Sequence, residues 1–364
     1  MNSNIPVKLS KLRQIAATAN ANTINLTIGN PIDLFPKELE NLVMEKSDFP
    51  LGYSPNPGNP KLRELIAKKY NFDPSECLIV NGAQGGLMTA FMAIMESGKS
   101  KLAYPDPGFL AYPTMGGILG CESCTYRFDQ VKGEFQLSVD SLISQVPDDC
   151  DVVLLNSPAN PSNHVFTKEE LKELADWAEG RGKYLVLDEV YGELNYSESY
   201  QPSFYKSDHV VTVSSLSKSH ALAGIRIGWA FTTNQELLAK MTVVHQYYNT
   251  CAASLSQKVA YELFKREDLY QELRSKYRRI YQHKLNVFFN KLNFKRVPKS
   301  AFYAFLNIGE NSEQFCKELL AKENILLVPG AYFGAEGEGY VRASLAVSDE
   351  DLVKAAAVLK KYLI

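Results

Sequence analysis

The stretch Ser215-Leu216-Ser217-Lys218, followed by Arg226 between two glycines, decides how this sequence is interpreted. The apolar run before it, His209-Val-Val-Thr-Val213, is typical of a short buried strand, so the lysine comes just after a strand ends. The guanidinium of Arg226 offers a planar pair of donors for phosphate oxygens, and the two serine hydroxyls add neutral donors. A lone lysine is usually a solvated surface charge. Here it stands beside a predicted phosphate site.

Short apolar, β-rich runs alternate with helical patterns through the middle of the chain. Continuous runs of this kind predict an α/β fold, with a mainly parallel central sheet covered by helices on both faces. In such sheets, ligands bind beyond the carboxyl ends of the strands. The predicted strands are Cys77–Val80, Lys101–Tyr104, Asp151–Leu155, Tyr184–Leu187 and Val210–Val213, and predicted helices include Gln84–Glu96 and Thr167–Glu179, the latter opening with a capping-box pattern.

The pattern changes around residues 266–293 to a long, charged helix that bears tyrosines and leucines. We expect this helix to lead into a smaller α+β unit that also includes the N-terminal segment. The predicted domains are therefore a large one over residues 41–280 and a small one over residues 1–40 and 281–364.

Composition excludes several classes of protein. The 364 residues are 45% apolar and 22% charged, with a net charge of −2, as in an ordinary globular protein without a nucleic-acid or membrane footprint. The start lacks the features of a signal peptide, and no apolar run is long enough for a membrane span. Cys121-x-x-Cys124 has no second pair, which favours free thiols over a zinc site, and the sparse cysteines predict a cytoplasmic protein.

Polar segments follow the predicted strands one after another, where a ligand site is expected. The segment Asn81-Gly82-Ala83-Gln84 opens a helix, and exposed N–H groups at a helix start suit a phosphate. The other segments are Pro105–Tyr112, Asn156–Asn163 and Asp188–Tyr191.

In this order, the segments resemble those of the fold-type-I pyridoxal-phosphate (PLP) enzymes, the group that contains the class I and II aminotransferases. The resemblance runs from about residue 24 to residue 350. It implies the PLP-dependent transferase fold of type I, with pyridoxal 5'-phosphate as cofactor and Lys218 as the residue that forms a Schiff base with it. The order of the motifs is far more specific than any one of them.

The resemblance also implies how the cofactor phosphate is held. The segment Gly52–Gly58 is similar to a family element whose tyrosine, here Tyr53, reaches the phosphate of the neighbouring subunit. This similarity implies a homodimer with shared active sites. Within one chain, the implied phosphate ligands are Gly82, Ala83, Gln84, Ser215, Ser217 and Arg226.

Four further residues match family positions around the cofactor ring. Phe109 matches the aromatic residue that stacks on the ring, a position where tyrosine is common. Asn160 and Tyr191 match the donors to the ring oxygen, and Asp188 matches the carboxylate that keeps the pyridine nitrogen protonated. The motif around Asn160 departs from the family pattern at its end, where Asn163 replaces a glycine. Asparagine tolerates the left-handed conformation that glycine would supply.

The substrate side of the resemblance rests on two segments. Arg342, in Tyr340–Ser344, matches the arginine that grips a substrate α-carboxylate, and a bidentate fork suits that anion. Gly29, in Asn25–Pro31, matches the tip of the segment that closes over substrate, and Asn160 is a further implied substrate-binding residue. The implied activity is transfer of an amino group between an L-amino acid and a 2-oxo acid, with Lys218 as general base.

Other activities stay open at this point. The same cofactor residues also serve C–S β-lyases and amino-acid cyclases or synthases, because the bond that breaks depends on substrate orientation. A PLP-sensing regulator would need a DNA-binding module, for which the roughly 20 residues before the fold leave no room. A nicotinamide protein is disfavoured since no Gly-x-Gly-x-x-Gly follows an early strand. The sequence places no second arginine for an acidic substrate side chain, and Tyr303 and Gln246–Tyr248 could belong to the core, a dimer contact or a substrate pocket.

Overall fold

Helices and strands alternate along the chain in a computed structural model, which describes residues 10–31, 35–40, 42, 49–131, 134–197, 205–309 and 311–363. The helices are α1 Lys11–Ala16, α2 Pro60–Lys69, α3 Gly82–Ile94, α4 Ala111–Ile118, α5 Val139–Gln145, α6 Lys168–Gly180, α7 Gln235–Asn249, α8 Ser254–Lys265, α9 Glu267–Lys291, α10 Ser312–Glu323 and α11 Asp349–Leu359. The strands are β1 Ile24–Asn25, β2 Cys77–Val80, β3 Lys101–Asp106, β4 Glu122–Arg127, β5 Asp129–Val131, β6 Glu134–Gln136, β7 Val152–Asn156, β8 Tyr184–Asp188, β9 Val210–Ser215, β10 Gly228–Phe231, β11 Tyr303–Asn307, β12 Ile325–Leu326, β13 Val328–Pro329 and β14 Tyr340–Ser344.

A seven-stranded sheet lies at the centre, in the order β2-β10-β9-β8-β7-β3-β4. Neighbouring strands from β9 to β4 pair in parallel, and β10 alone runs against both of its neighbours. The α/β fold with a mainly parallel central sheet is confirmed. All five predicted strands lie in this sheet; the bounds of Cys77–Val80 match the prediction, and those of the other four differ from it by one or two residues at an end.

The strands are continuously apolar because helices cover both faces of the sheet. Along β7, Val153 and Leu155 join one apolar cluster, and Leu154 joins the cluster on the other face. Helix α6 packs on the first face through Leu171, Leu174 and Ala175, while α3 packs on the second. Each fully buried Val or Leu contributes about 1.5–3 kcal/mol of hydrophobic free energy, so both faces stabilise the sheet.

The predicted capping box at the start of α6 is present. The Thr167 N–H donates to Glu170 Oε2 at 2.7 Å, and the Glu170 N–H donates to Thr167 Oγ1 at 3.2 Å. This pair satisfies two of the N–H groups that a helix start leaves without partners.

Beyond the central sheet, the C-terminal part forms an antiparallel sheet in the order β11-β14-β13. Strand β1 pairs in parallel with β12, with Ile24 opposite Ile325, so this N-terminal strand lies beside the C-terminal part of the chain. The domain bounds stay a prediction: residue 41 lies outside the described residues, and the boundary between 280 and 281 falls within α9.

All six cysteines are free thiols, including Cys121 and Cys124. In the part of the chain that the structure describes, no helix is long and apolar enough to cross a membrane.

Candidate active site

A cavity of about 560 Å³ opens beyond the carboxyl ends of β7, β8 and β9. Because these strands are parallel neighbours, the residues at their ends meet at one edge of the sheet. Among the predicted site residues, the cavity is lined by Gly29, Ala83, Gln84, Phe109, Asn160, Asp188, Tyr191, Ser215, Ser217, Lys218, Arg226 and Arg342. Two predicted site residues, Gly82 and Tyr53, do not line it.

Lys218 lies part-buried in the middle of this cavity. Its Nζ donates a hydrogen bond to the carbonyl oxygen of Gly29 at 2.5 Å. Burial, followed by the positive charges of Arg342 and Arg226, lowers the pKa of Lys218 to about 8, against the opposing effect of Asp188. The amine is therefore neutral in about half of the molecules near pH 8, and a neutral amine is both a nucleophile and a base.

Asp188 lies at the end of β8 and is almost fully buried. Its Oδ2 accepts a hydrogen bond from Tyr112 Oη at 2.8 Å, and its Oδ1 accepts one from the Val190 N–H at 3.2 Å. Burial raises the pKa of Asp188 to about 6, although these two hydrogen bonds and Lys218 oppose the rise. A nearby cation would stabilise this buried carboxylate.

Asn160 and Tyr191 are held by neighbours that the sequence motifs did not identify as site residues. The Asn160 N–H donates to Asn156 Oδ1 at 2.7 Å, and Asn156 Nδ2 donates to the Asp188 carbonyl at 3.0 Å. The hydroxyls of Tyr191 and Tyr303 are hydrogen-bonded at 2.6 Å. The pKa of Tyr191 is raised well above its usual value, first by burial and then by Tyr303, so the phenol stays protonated.

The predicted phosphate end lies where the start of α3 approaches Arg226. Gly82 has a φ of +74°, and a Cβ at this position would lie 2.7 Å from Arg226 Nη2. The positive φ favours glycine, and a side chain here would displace the end of Arg226, so Gly82 shapes this end without lining the cavity. Arg226 Nη1 donates to the Ala223 carbonyl at 2.9 Å, which leaves the remaining donors of the guanidinium for other acceptors.

Arg342 is 1% exposed and lies between two aromatic rings. Its guanidinium carbon is 4.5 Å from the ring centre of Tyr303 and 4.9 Å from that of Phe333. Nη1 donates to Asn160 Oδ1 at 3.1 Å and Nη2 to the Thr27 carbonyl at 2.6 Å, whereas Nε has no hydrogen-bond partner among the described residues. Buried N–H groups are nearly always paired, so this donor indicates a ligand site.

The glycine-to-asparagine departure at 163 leaves the turn intact. Asn163 has a φ of 61°, the left-handed conformation expected for this position. Its Nδ2 donates to the Tyr303 carbonyl at 3.1 Å, which ties the turn to β11.

Tyr53 lies away from the cavity, with 91% of its surface exposed. Its predicted role, in the site of a neighbouring subunit, stays a prediction.

Several residues of the cavity were not predicted from the sequence as site residues. Tyr112 and Asn156 stood within motif segments, but only their contacts with Asp188 and Asn160 reveal what they do. Tyr303 was left open between core and pocket, and it lines the pocket. Arg13 also lines it, from the short helix α1, and no pattern in the sequence indicates this.

The arrangement offers guanidinium donors for anions at two points, Arg226 and Arg342, in a cavity that also contains a basic amine and a buried carboxylate. Such a site can hold a phosphorylated ring and a carboxylate at once and move a proton between bound groups.

The model of the family "Aminotransferase class I and II" matches residues 21–359 of this chain. A putative aminotransferase of Bacillus subtilis is 32% identical, with 98% of this chain and 96% of that protein covered. The crystal structure of an aromatic aminotransferase from Pyrococcus horikoshii has a TM-score of 0.85 at 28% identity, with 96% of this chain and 98% of that chain covered. The aspartate aminotransferase of Thermus thermophilus with maleate has a TM-score of 0.89 at 26% identity, with 98% and 97% covered. The chain belongs to the class I and II aminotransferase family, enzymes that move an amino group between an amino acid and an oxo acid.

Proposed function

We propose that the protein is a PLP-dependent aminotransferase in which Lys218 binds the aldehyde of pyridoxal 5'-phosphate and Arg342 binds the α-carboxylate of an L-amino acid or 2-oxo acid. The observation that carries the proposal is that Lys218, Asp188 and Arg342 line one cavity. Each supplies a different requirement of the reaction: an amine, a carboxylate for a ring nitrogen and a fork for a carboxylate.

The residues present fit this cofactor at both ends. At one end, the backbone at Gly82 lies so close to Arg226 that a methyl group would displace the guanidinium, which places the N–H donors of the helix start beside a guanidinium, as a phosphate site needs. At the other end, the buried carboxylate of Asp188 has its pKa raised to about 6, and a protonated ring nitrogen would supply the missing cation. Phe109 offers a ring face, and Asn160 and Tyr191 offer donors for the ring oxygen; the other implied phosphate ligands are Ala83, Gln84, Ser215 and Ser217.

Bound there, the cofactor supplies an electron sink for the bonds at the amino acid's Cα. Lys218 Nζ, neutral above a pKa of about 8, is the base that removes the Cα proton and later returns a proton to the substrate. Arg342 orients the substrate through its α-carboxylate, and Tyr303 and Phe333 fix the guanidinium plane. The Gly29 carbonyl accepts a hydrogen bond from Lys218 Nζ, so the segment that carries Gly29 covers the amine and excludes water from it.

A donor panel tests the proposal. The purified protein is incubated with PLP and a series of L-amino acids, with 2-oxoglutarate or pyruvate as acceptor, and the new amino acid is measured by chromatography. Lys218→Ala should abolish transfer and the absorbance of the covalently held cofactor, while the exposed control Lys240→Ala should change neither. Full turnover by Lys218→Ala would contradict the proposal. Pyruvate and ammonia from cystathionine, without an oxo acid, would favour a β-lyase instead.

We propose further that the protein works as a homodimer in the cytoplasm. Support comes from exposed apolar and aromatic side chains on α7, α8 and the loop at residues 51–53. The loop is held to α8 by a hydrogen bond of 2.5 Å from Ser254 Oγ to the Gly52 carbonyl. The cluster consists of Leu51, Tyr53, Val243, Tyr247, Tyr248 and Leu255. Exposed apolar clusters of this kind mark interaction surfaces, and six free thiols are typical of a reducing compartment.

Light scattering after size exclusion tests the dimer. A mass of twice 40.7 kDa is expected. Tyr53→Phe should weaken PLP binding if the partner's hydroxyl reaches the phosphate, whereas a monomer with full activity would rule out a shared site.

A further inference from the structure

One cation of the cavity has no role in the chemistry described so far. Of the charged side chains that line it, Lys218, Arg226 and Arg342 are accounted for by the cofactor aldehyde, the phosphate and the α-carboxylate. Among the lining residues that the structure describes, the remaining cation is Arg13 and the one carboxylate is Asp188. The described lining therefore has one positive charge for which neither the cofactor nor the common part of an amino acid supplies an anion.

The guanidinium of Arg13 is available to a ligand. It is exposed, and within the described residues it forms neither an ion pair nor a hydrogen bond; the hydrogen bonds of Arg13 are made by its backbone, whose N–H donates to Ser10 and whose carbonyl accepts from the Ala17 N–H. Charged side chains that serve only folding or solubility commonly find a partner or face bulk solvent. This one borders the cavity that Arg226 and Arg342, the two proposed anion-binding residues, also line.

Helix α1 holds Arg13 at the cavity by contacts on its other residues. Lys11 is 3.7 Å from Glu313 and lies over the ring of Tyr332 at 4.7 Å, and Ile15 packs against the core. Residues 11 and 15 are four apart and share one face of a helix. With that face anchored, Leu12 and Arg13 border the cavity.

The position of Arg342 determines what Arg13 can reach. Arg342 is buried and donates a hydrogen bond to the Thr27 carbonyl. The residues that follow Thr27, Ile28–Pro31, line the cavity, and the exposed Arg13 lines it as well. A substrate whose α-carboxylate lies at Arg342 and whose amine faces Lys218 has its side chain in the same cavity. The exposed Arg13 borders that cavity.

Resting on the function proposed above, we propose that Arg13 binds the distal carboxylate of the substrate, so that the preferred donors and acceptors are dicarboxylic amino acids and 2-oxo acids. A guanidinium at an exposed site binds a carboxylate by hydrogen bonds that water and salt weaken. Its expected contribution is therefore modest, about fivefold to tenfold in affinity.

The test compares Arg13→Gln, Arg13→Lys and a matched control, Arg181→Gln, which removes an exposed guanidinium paired with Asp148 elsewhere on the surface. Glutamate and leucine serve as donors with pyruvate as acceptor, so that the acceptor has no distal carboxylate. Arg13→Gln should raise the KM for glutamate by about fivefold to tenfold and leave kcat and the leucine kinetics unchanged. The KM of Arg13→Lys for glutamate should lie between those of wild type and Arg13→Gln. Added salt should reduce the difference in this KM between wild type and Arg13→Gln.

A second measurement is independent of turnover. Calorimetry of succinate and of butyrate with the PLP-loaded protein should show weaker succinate binding in Arg13→Gln and no change for butyrate. Equal losses for both donors, or succinate affinity that does not respond to Arg13→Gln, overturns the proposal. Absence of transfer from every donor would overturn the proposed function instead, while the succinate measurement would still decide on Arg13.

Discussion

Tyr112 Oη donates a hydrogen bond to Asp188 Oδ2 at 2.8 Å, and both side chains are buried. Tyr112 comes from α4, three residues after Phe109, whose ring it meets edge-on at 5.6 Å. The residue that holds the predicted pyridine carboxylate is thus carried by the same segment as the residue predicted to stack on the ring. This contact makes Tyr112 a positioning residue that also sets the charge of Asp188.

Tyr112→Phe should raise the pKa of Asp188 above its present value of about 6, because the phenol bond stabilises the ionised carboxylate. Since PLP binding with a protonated ring needs the carboxylate ionised, the acid limb of the binding-affinity profile should move up by about one pH unit. The measurement is the PLP dissociation constant from pH 5 to pH 9. Tyr126→Phe is the control, because Tyr126 is equally buried but donates to the Leu154 carbonyl. The same shift in both variants would contradict the role of Tyr112.

Asp188→Asn should stabilise the cofactor-free protein at neutral pH. The folded pKa of Asp188 is about 6 against an ordinary 3.8, so the folded carboxylate resists ionisation. Below pH 3.8 both states are protonated and the effect is absent; as pH rises to 6, the unfolded state ionises first and the wild type loses stability. At about 1.4 kcal/mol per pH unit, the loss above pH 6 is about 3 kcal/mol.

Melting temperatures of the cofactor-free proteins from pH 4 to pH 8 measure this effect. The difference in melting temperature between Asp188→Asn and wild type should increase from pH 4 to pH 6 and then stay constant. Asp176→Asn, at an exposed aspartate paired with Lys172, should show no such gap. With PLP present the order should reverse, since the variant loses the partner of the ring nitrogen.

The sequence predicted the parts of this molecule that follow a local pattern. Strands such as Val152–Asn156 were predictable because a buried strand is apolar along its whole length. Lys218 and Asp188 were predictable since each directly follows such a strand. Arg13 was not, because its place at the cavity depends on contacts of α1 with Glu313 and Tyr332, some 300 residues away. Tyr112 was not predicted as a site residue for a different reason. In a sequence, an aromatic residue of an apolar helix is indistinguishable from a core residue until the partner of its hydroxyl is known.

Lys218 should react with amine reagents at lower pH than other lysines. Burial is the largest cause that lowers its pKa to about 8, and the positive charge of Arg342 lowers the pKa as well. The ammonium is unreactive, so labelling of the cofactor-free protein by trinitrobenzenesulfonate should rise through about pH 8 at Lys218. Peptide mass spectrometry can compare it with the exposed Lys172, whose pKa is raised by Asp176. Arg342→Gln should move the Lys218 midpoint upward by removing a repelling charge, whereas Arg181→Gln should not. A midpoint near that of Lys172 would contradict the assignment.

Gly82→Ala should damage the phosphate end without unfolding the sheet. The added methyl group would lie 2.7 Å from Arg226 Nη2, and the φ of +74° is unfavourable for alanine. Either the guanidinium or the start of α3 must move, so the PLP dissociation constant should rise by about tenfold or more. Gly85→Ala is the matched control on the same helix, because its methyl group would meet only Asn81 Cβ at 3.5 Å, and it should preserve PLP affinity while slightly stabilising the helix. Fluorescence titration of both variants with PLP measures the difference, and equal affinities would show that the approach of Gly82 to Arg226 has no part in binding the phosphate.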